Sequence, residues 1–206
     1  MPPSLITLLV VLAAYLLGSI SFALVASRLF GLADPRTYGS KNPGATNVLR
    51  SGHKGAAIFT LFGDAAKGWL AVFLVSRYSS EYAWGSYAVG WVALAVFFGH
   101  LYPVFLRFKG GKGVATAAGV LLAIHPWLGL ATLGTWILIA FTLRYSSLAA
   151  LVAAVAAPAY ALLIWGGDSR VLVVGIIAMA LVGKHWQNLQ RLMAGSEPKI
   201  GAGKSR

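Results

Sequence analysis

The sequence predicts an all-α integral membrane protein of seven transmembrane helices, and three observations carry that prediction. Of the 206 residues 58% are hydrophobic and only 11% are charged, with a mean hydropathy of +0.75, well outside the range of a soluble domain. Apolar stretches close to the length of a transmembrane helix recur along the chain. The basic residues between them fall almost wholly on one side of a seven-span threading.

The first span is expected at about 5–27. It is apolar from Leu5 onward and no basic residue precedes Arg28, so it lacks the charged start of a signal peptide and reads as a retained span. Further spans follow at about 56–76, 83–105, 114–125, 127–143, 148–165 and 170–183. The fourth is short, and fusing it with the fifth into one tilted helix gives six spans instead. Loop charge decides. With seven spans, Arg28, Arg36, Lys41, Arg50, Lys54, Arg107, Lys109, Lys112, Arg144, Lys184, Arg191, Lys199, Lys204 and Arg206 share one side. Arg77 and Arg170 lie on the other, and Lys67 falls inside span two. Six spans would throw Arg144, Lys184 and everything after it outside, against the positive-inside rule. The N-terminus is therefore expected outside and the C-terminus in the cytoplasm. No soluble domain, repeat or low-complexity linker is visible, so residues 1–206 read as one domain with a short flexible tail from about Gly195.

The seven-span threading puts three polar clusters at the same cytoplasmic surface, where they can converge on one site. Glycine-rich backbone and charge this dense are costly beside hydrocarbon unless they form a site, and the residue types suit an anion, phosphate above all. The first cluster runs Gly39-Ser40-Lys41-Asn42-Pro43-Gly44-Ala45-Thr46-Asn47 to Arg50. Pro43 between Asn42 and Gly44 signals a tight turn. A short helix from Ala45 would put Thr46 and Asn47 on the face of Arg50, whose guanidinium fork matches phosphate oxygens. The second cluster, Lys109-Gly110-Gly111-Lys112-Gly113, opens directly onto span four. Its backbone N–H groups at a helix N-terminus would form an anion cradle, with Lys112 adding a point charge. It is not a nucleotide-binding P-loop, because Leu106 and Gly113 stand where that motif needs Gly and Ser or Thr. In the third cluster His185 and Asn188 share a helical stripe, with Arg191 one turn on. Each cluster also has a plainer reading: a cytoplasmic loop, a flexible turn with topological lysines, and a stop-transfer anchor.

Asp64 and Lys67, spaced i, i+3 inside span two, should face the bundle interior as a structural pair or serve catalysis. His100 either orients the glycine loop or is a buried structural histidine, while His53 reads as a loop residue and His125 falls on the external side. Five carboxylates without metal-ligand spacing argue against an obligatory metal, and the absence of cysteine removes thiolate chemistry and disulfides. The net charge of +12 suits anionic headgroups or phosphorylated substrates, but its dispersal among apolar spans argues against nucleic acid as a partner. No histidine is followed five positions later by Asp, since those positions hold Ile58, Phe105, Leu130 and Gln190. The His-x4-Asp dyad of the commoner lipid acyltransferases is therefore missing.

Over essentially its whole length the chain resembles the bacterial membrane acyl-phosphate:glycerol-3-phosphate acyltransferases. The resemblance is carried by Gly18-Ser19-Ile20, Asp34-Pro35-Arg36, GSKNPGATNVLR from Gly39 to Arg50, Lys67-Gly68, GHLYPVFLRFKGGKGVAT from Gly99 to Thr116, and HWQNLQRL from His185 to Leu192, continuing to Glu197 and Lys199. Trp186 stands where the family usually has a polar residue, and Lys41 where it commonly has Gly. The resemblance implies a seven-span enzyme of the bacterial plasma (inner) membrane, its site facing the cytoplasm. That enzyme moves a fatty acyl group from acyl phosphate to the 1-hydroxyl of glycerol 3-phosphate, leaving lysophosphatidic acid among the membrane lipids, with no cofactor or metal. Carried over by motif, the catalytic positions are Ser40, Lys112, His185 and Asn188, expected to grip the donor phosphate and the developing charge. Gly39, Asn42, Thr46, Asn47 and Arg50, with Lys109, Gly110, Gly111 and Gly113, are the substrate-binding positions, Arg50 and the glycine loop holding glycerol 3-phosphate. The base is left open between His185 and a substrate phosphate oxygen. The competing reading is a small transporter or channel for a phosphorylated solute, which would need polar residues at the midplane and inverted-repeat symmetry.

Overall fold

The computed structural model describes residues 5–78 and 87–201, so Lys204, Arg206 and the first residues of the expected third span lie outside it. The described chain is helical throughout, with ten α-helices and one 3₁₀ turn. It divides into two compact units, Met1–Pro126 and Trp127–Arg206.

The first unit holds α1 (Leu5–Gly18), α2 (Phe22–Leu29), α3 (Ala45–Leu49), α4 (Lys54–Tyr78), α5 (Ala88–Leu101), a 3₁₀ turn (Val104–Leu106) and α6 (Val114–Ile124). The expected first span is not one helix: it breaks at residues 19–21, leaving α1 and α2 inclined by 44°. Ser19 explains part of the break. Its hydroxyl donates to the Tyr15 carbonyl at 2.9 Å and accepts the Val104 N–H at 3.4 Å, a side-chain alternative to the helical ladder. The α1 and α5 backbones meet through Gly18 against the Val96 carbonyl and Gly99 against that of Tyr15. On α4 and α6 the same device recurs, with Gly119 against the Ala65 carbonyl and Gly68 against that of Thr116. Small residues at such crossings let helices approach closely where lipid offers no hydrophobic drive for association.

The second unit holds α7 (Pro126–Leu143), α8 (Ser146–Trp165), α9 (Ser169–Lys184) and α10 (Trp186–Met193). An alanine face on α8, including Ala149, Ala150, Ala153, Ala157 and Ala161, is buried, as are Val174, Ile177 and Leu181 of α9, which packs beside it. Asp168 caps α9 by accepting the Arg170 N–H at 2.8 Å. At His185 the chain turns by 58° into α10. The stretch after Gly195, expected as a loose end, is tied back through Ile200, whose N–H donates to the Arg144 carbonyl at 2.6 Å while its carbonyl accepts from Arg144 Nη2 at 2.9 Å.

The distribution of polarity is inverted relative to a protein in water. Phe141 and Leu163 are 85% exposed and Leu5 and Trp127 72%, whereas Asp64, Lys67, His100, His185 and Asn188 are buried. Surfaces so apolar require hydrocarbon as their solvent. α4, α5 with its following turn, α7 and α8 are each long and apolar enough to cross a bilayer, and the count reaches six if each bent pair forms one span. The apolar segment at 114–125 does form a helix, but the 11 residues of α6 rise only about 16 Å, against a hydrocarbon core of about 30 Å.

Candidate functional site

The loop before α3 is organised by Asn47. Buried to 2% exposure, its Nδ2 donates to the carbonyls of Pro35 at 2.6 Å and Tyr38 at 3.2 Å, and its Oδ1 accepts the Ser40 N–H at 2.9 Å. The shared face expected of Thr46, Asn47 and Arg50 is therefore split. Thr46 and Arg50 are exposed, while Asn47 turns inward as the scaffold of the loop. Ser40 is exposed beside it, and Gly39 lies against the Asn47 amide, with Arg50 Cδ 3.2 Å from where a Gly39 side chain would begin. Asn42 closes the turn through its carbonyl, which accepts the Gly44 N–H at 2.9 Å. Lys41 has φ of 55°, a left-handed conformation that costs a non-glycine residue about 1–2 kcal/mol. Nearby, the Arg36 guanidinium holds the Asp34 carboxyl below its ordinary pKa, hydrogen-bonding both oxygens.

The glycine loop is moulded on the end of α5. Gly111 N–H donates to the His100 carbonyl at 3.1 Å, and the Nε2 edge of the His100 ring fills the space a Gly111 side chain would need. Gly110 abuts the same carbonyl and Pro103. Neither position has room for a β-carbon. Arg107 and Phe108, both left-handed at φ 51° and 61°, reverse the chain into this loop, and Gly113 caps the N-terminus of α6. Lys109 is exposed and Lys112 half-buried.

Behind the loop lies a buried charge network. Lys67 Nζ sits 2.8 Å from Asp64 Oδ1, 2.6 Å from the Ile20 carbonyl and 3.0 Å from His100 Nδ1. The pair expected inside span two is thus formed, and His100 and the helix break join it. Lys67 is the fourteenth residue of the 25 in α4, about 20 Å along the axis from Lys54. The glycine loop is therefore recessed beside the middle of that helix.

The third cluster belongs to the second unit. His185 and Asn188 are 3% and 5% exposed. His185 Nδ1 lies 2.8 Å from the Leu181 carbonyl, so in the neutral ring Nδ1 carries the proton and Nε2 the lone pair. Glu197, a residue with no role assigned from sequence, is the hub. Its Oε1 accepts from Ser147 at 2.7 Å and Asn188 Nδ2 at 2.6 Å, and its Oε2 from Arg191 Nε at 2.7 Å. Burial pushes the carboxyl up, but these three hydrogen bonds and the Arg191 charge outweigh it and hold the group below its ordinary pKa. The available signal was scarcity: among five carboxylates in a chain of charge +12, one placed near Arg191 is marked for pairing.

A family model described as glycerol-3-phosphate acyltransferase matches residues 8–195. A glycerol-3-phosphate acyltransferase of Dechloromonas aromatica (strain RCB) is 65% identical over 192 residues, covering 93% of this chain and 95% of that one. Its counterpart in Cupriavidus pinatubonensis (strain JMP 134 / LMG 1197) is 62% identical over 194 residues, covering 94% and 96%. Among solved structures, PlsY (YgiH), an integral membrane glycerol 3-phosphate acyltransferase, superposes in its glycerol 3-phosphate form with a TM-score of 0.87 at 36% identity, covering 95% of this chain and 96% of that one. Its lysophosphatidic acid form gives 0.85 at 35% identity, with 95% of each chain covered. The chain is a multi-pass membrane protein that belongs to the glycerol-3-phosphate acyltransferase family.

Proposed function

We propose that this protein transfers a fatty acyl group from acyl phosphate to the 1-hydroxyl of glycerol 3-phosphate, releasing phosphate and lysophosphatidic acid. It does so in the bacterial inner membrane, crossing seven times with its N-terminus outside and its site open to the cytoplasm. The observation that carries this reading is the glycine loop, preshaped on His100 at the N-terminus of α6 and suited to cradle a phosphate. The forms in which PlsY was solved, with glycerol 3-phosphate and with lysophosphatidic acid, support the same substrate and product here.

In this mechanism the 1-hydroxyl oxygen attacks the acyl carbon, the bond from that carbon to the phosphate oxygen breaks, and phosphate departs with the electron pair. The mixed anhydride is already activated, so no covalent enzyme intermediate is needed. The protein contributes positioning and charge stabilisation. Arg50, Thr46 and Lys109 to Gly113 hold glycerol 3-phosphate, with Gly39, Asn42 and Asn47 shaping the loop that presents Arg50. Ser40, Lys112 and Asn188 hold the donor phosphate, and His185, once protonated, steadies the charge that develops on it. The hydroxyl proton goes to His185 Nε2 or to a phosphate oxygen, and the Leu181 contact that leaves a lone pair on Nε2 supports the former.

The test supplies purified protein with acyl phosphate and follows phosphate release with and without glycerol 3-phosphate. Release that depends on the acceptor is expected. Release indifferent to it, or equal turnover with an acyl thioester donor, would refute the assignment.

A further inference from the structure

Asp64 and Lys67 are each 2% exposed within α4, a helix that crosses the membrane. A buried ion pair is weak evidence for stability, since an apolar pair of similar volume commonly does as well or better. What the pair specifies is the more informative question. Lys67 Nζ lies 2.8 Å from Asp64 Oδ1, 2.6 Å from the Ile20 carbonyl and 3.0 Å from His100 Nδ1, and that ring nitrogen is itself 3.5 Å from Asp64 Oδ1. The pair thus engages the Nδ1 side of the ring and leaves Nε2 on the other edge. That is the edge facing Gly111.

We propose that Asp64, Lys67 and His100 are positioning residues for glycerol 3-phosphate, acting through the shape of the Lys109–Gly113 loop. The chain of contacts is continuous. The Ile20 carbonyl at the α1/α2 break anchors Lys67, Lys67 and Asp64 fix the rotation of the His100 ring, and that ring is the wall against which Gly111 rests. The His100 carbonyl accepts the Gly111 N–H from the same side. A ring free to turn would leave the loop held by its main-chain bond alone, and the N–H groups that the loop turns toward a phosphate would lose their common direction. The inference rests on the reading that this loop holds the acceptor phosphate.

The experiment compares the full-length wild-type protein with Asp64→Asn/Lys67→Met, which removes both charges together, and with His100→Asn, which keeps an acceptor near Nδ1 but removes the ring edge. Steady-state phosphate release gives kcat and the KM of each substrate, and a thermal-shift titration with glycerol 3-phosphate gives acceptor affinity without turnover. Both variants are expected to raise the acceptor KM and Kd about tenfold, equivalent to about 1.4 kcal/mol, with the donor KM unchanged. A loss of kcat in proportion to folded protein, with acceptor KM unmoved, overturns the proposal, as does a rise confined to the donor KM. If the double variant does not fold, His100→Asn decides alone, and if neither variant folds, the network holds the fold rather than the acceptor and the proposal falls. An inactive wild-type chain removes the acyl-transfer reading and this inference with it, whereas an active wild type whose variants keep their acceptor KM removes this inference only.

Discussion

Replacing Glu197 separates the charge of the hub from its hydrogen bonds. In Glu197→Gln the amide oxygen can still accept from Ser147 and Asn188, but the amide nitrogen then faces Arg191 Nε, donor against donor. One charge-assisted hydrogen bond is lost, worth about 1.5–3 kcal/mol when shielded. The Arg191 side chain is 38% exposed and can regain water, so about 1–2 kcal/mol is expected. Glu197→Ala removes all three contacts, including the buried one from Asn188 Nδ2, adding about 1–3 kcal/mol. The assay is chemical or thermal unfolding of the detergent-solubilised protein between pH 3.5 and 8. The carboxyl is held below its ordinary value of 4.5 in the folded protein, so its stabilisation is fully present above that value and disappears as pH falls through the folded pKa. The gap between wild type and Glu197→Gln should therefore be flat above about pH 5.5 and shrink below about 4.5. A gap that widens with acid, or an alanine variant as stable as wild type, would refute the reasoning.

Four further outcomes follow from the geometry. Gly111→Ala drives a methyl group into the His100 ring. It should raise the acceptor KM at least about tenfold with less than about 1–3 kcal/mol lost from folding, and unchanged kinetics would show that the loop shape does not set affinity. Asn47→Ala removes three bonds to the loop before α3 and should cost about 2–3 kcal/mol, read as a lower unfolding midpoint. His185→Gln tests the base: near-wild-type turnover removes His185 from that role, and a large loss of kcat accompanied by loss of the wild-type pH dependence assigns the proton to it. Because the chain has no cysteine, single cysteines report topology cleanly. On the seven-crossing reading Gly167→Cys reacts with an impermeant thiol reagent in intact cells and Ser51→Cys only after permeabilisation, and the reverse pattern at Gly167 would favour six.

The helical segments were legible because hydrocarbon imposes a single strong pattern, and each apolar stretch on the described residues is a helix or a bent pair of helices. The breaks were not. Residues 19–21 read Ser-Ile-Ser within an apolar run, too slight a dip in hydropathy to mark a break, and what fixes the break there is the Ser19 hydroxyl on the Tyr15 carbonyl together with a lysine from another helix on the Ile20 carbonyl, the second a tertiary contact with no local signal. The polar clusters were visible as glycine, asparagine and cations in the wrong solvent. Spacing could not say which of their members face outward: Thr46 and Asn47 differ by one residue, yet one is exposed and the other is the loop's internal scaffold. Glu197 and His100 act on candidate site residues from a distance in sequence, Glu197 on Asn188 and His100 on Gly111, and no periodicity encodes that.

The shortness of α6 and the depth of the glycine loop are one physical fact. Eleven helical residues rise about 16 Å, about half the thickness of the hydrocarbon core, and the Lys109–Gly113 segment before them folds back on His100 instead of continuing the helix. A loop is tolerated at that depth only where protein or a water-filled cavity satisfies its backbone. Here the Gly111 N–H is met by the His100 carbonyl, and the fourteenth residue of α4 supplies the ammonium that fixes His100. Had the fourth apolar stretch been a full-length helix, its N–H groups would be committed to its own ladder. Giving up the first turns leaves loop backbone beside the middle of α4, and on the function proposed above that is where an acyl chain lying in lipid and a phosphate arriving from water would meet.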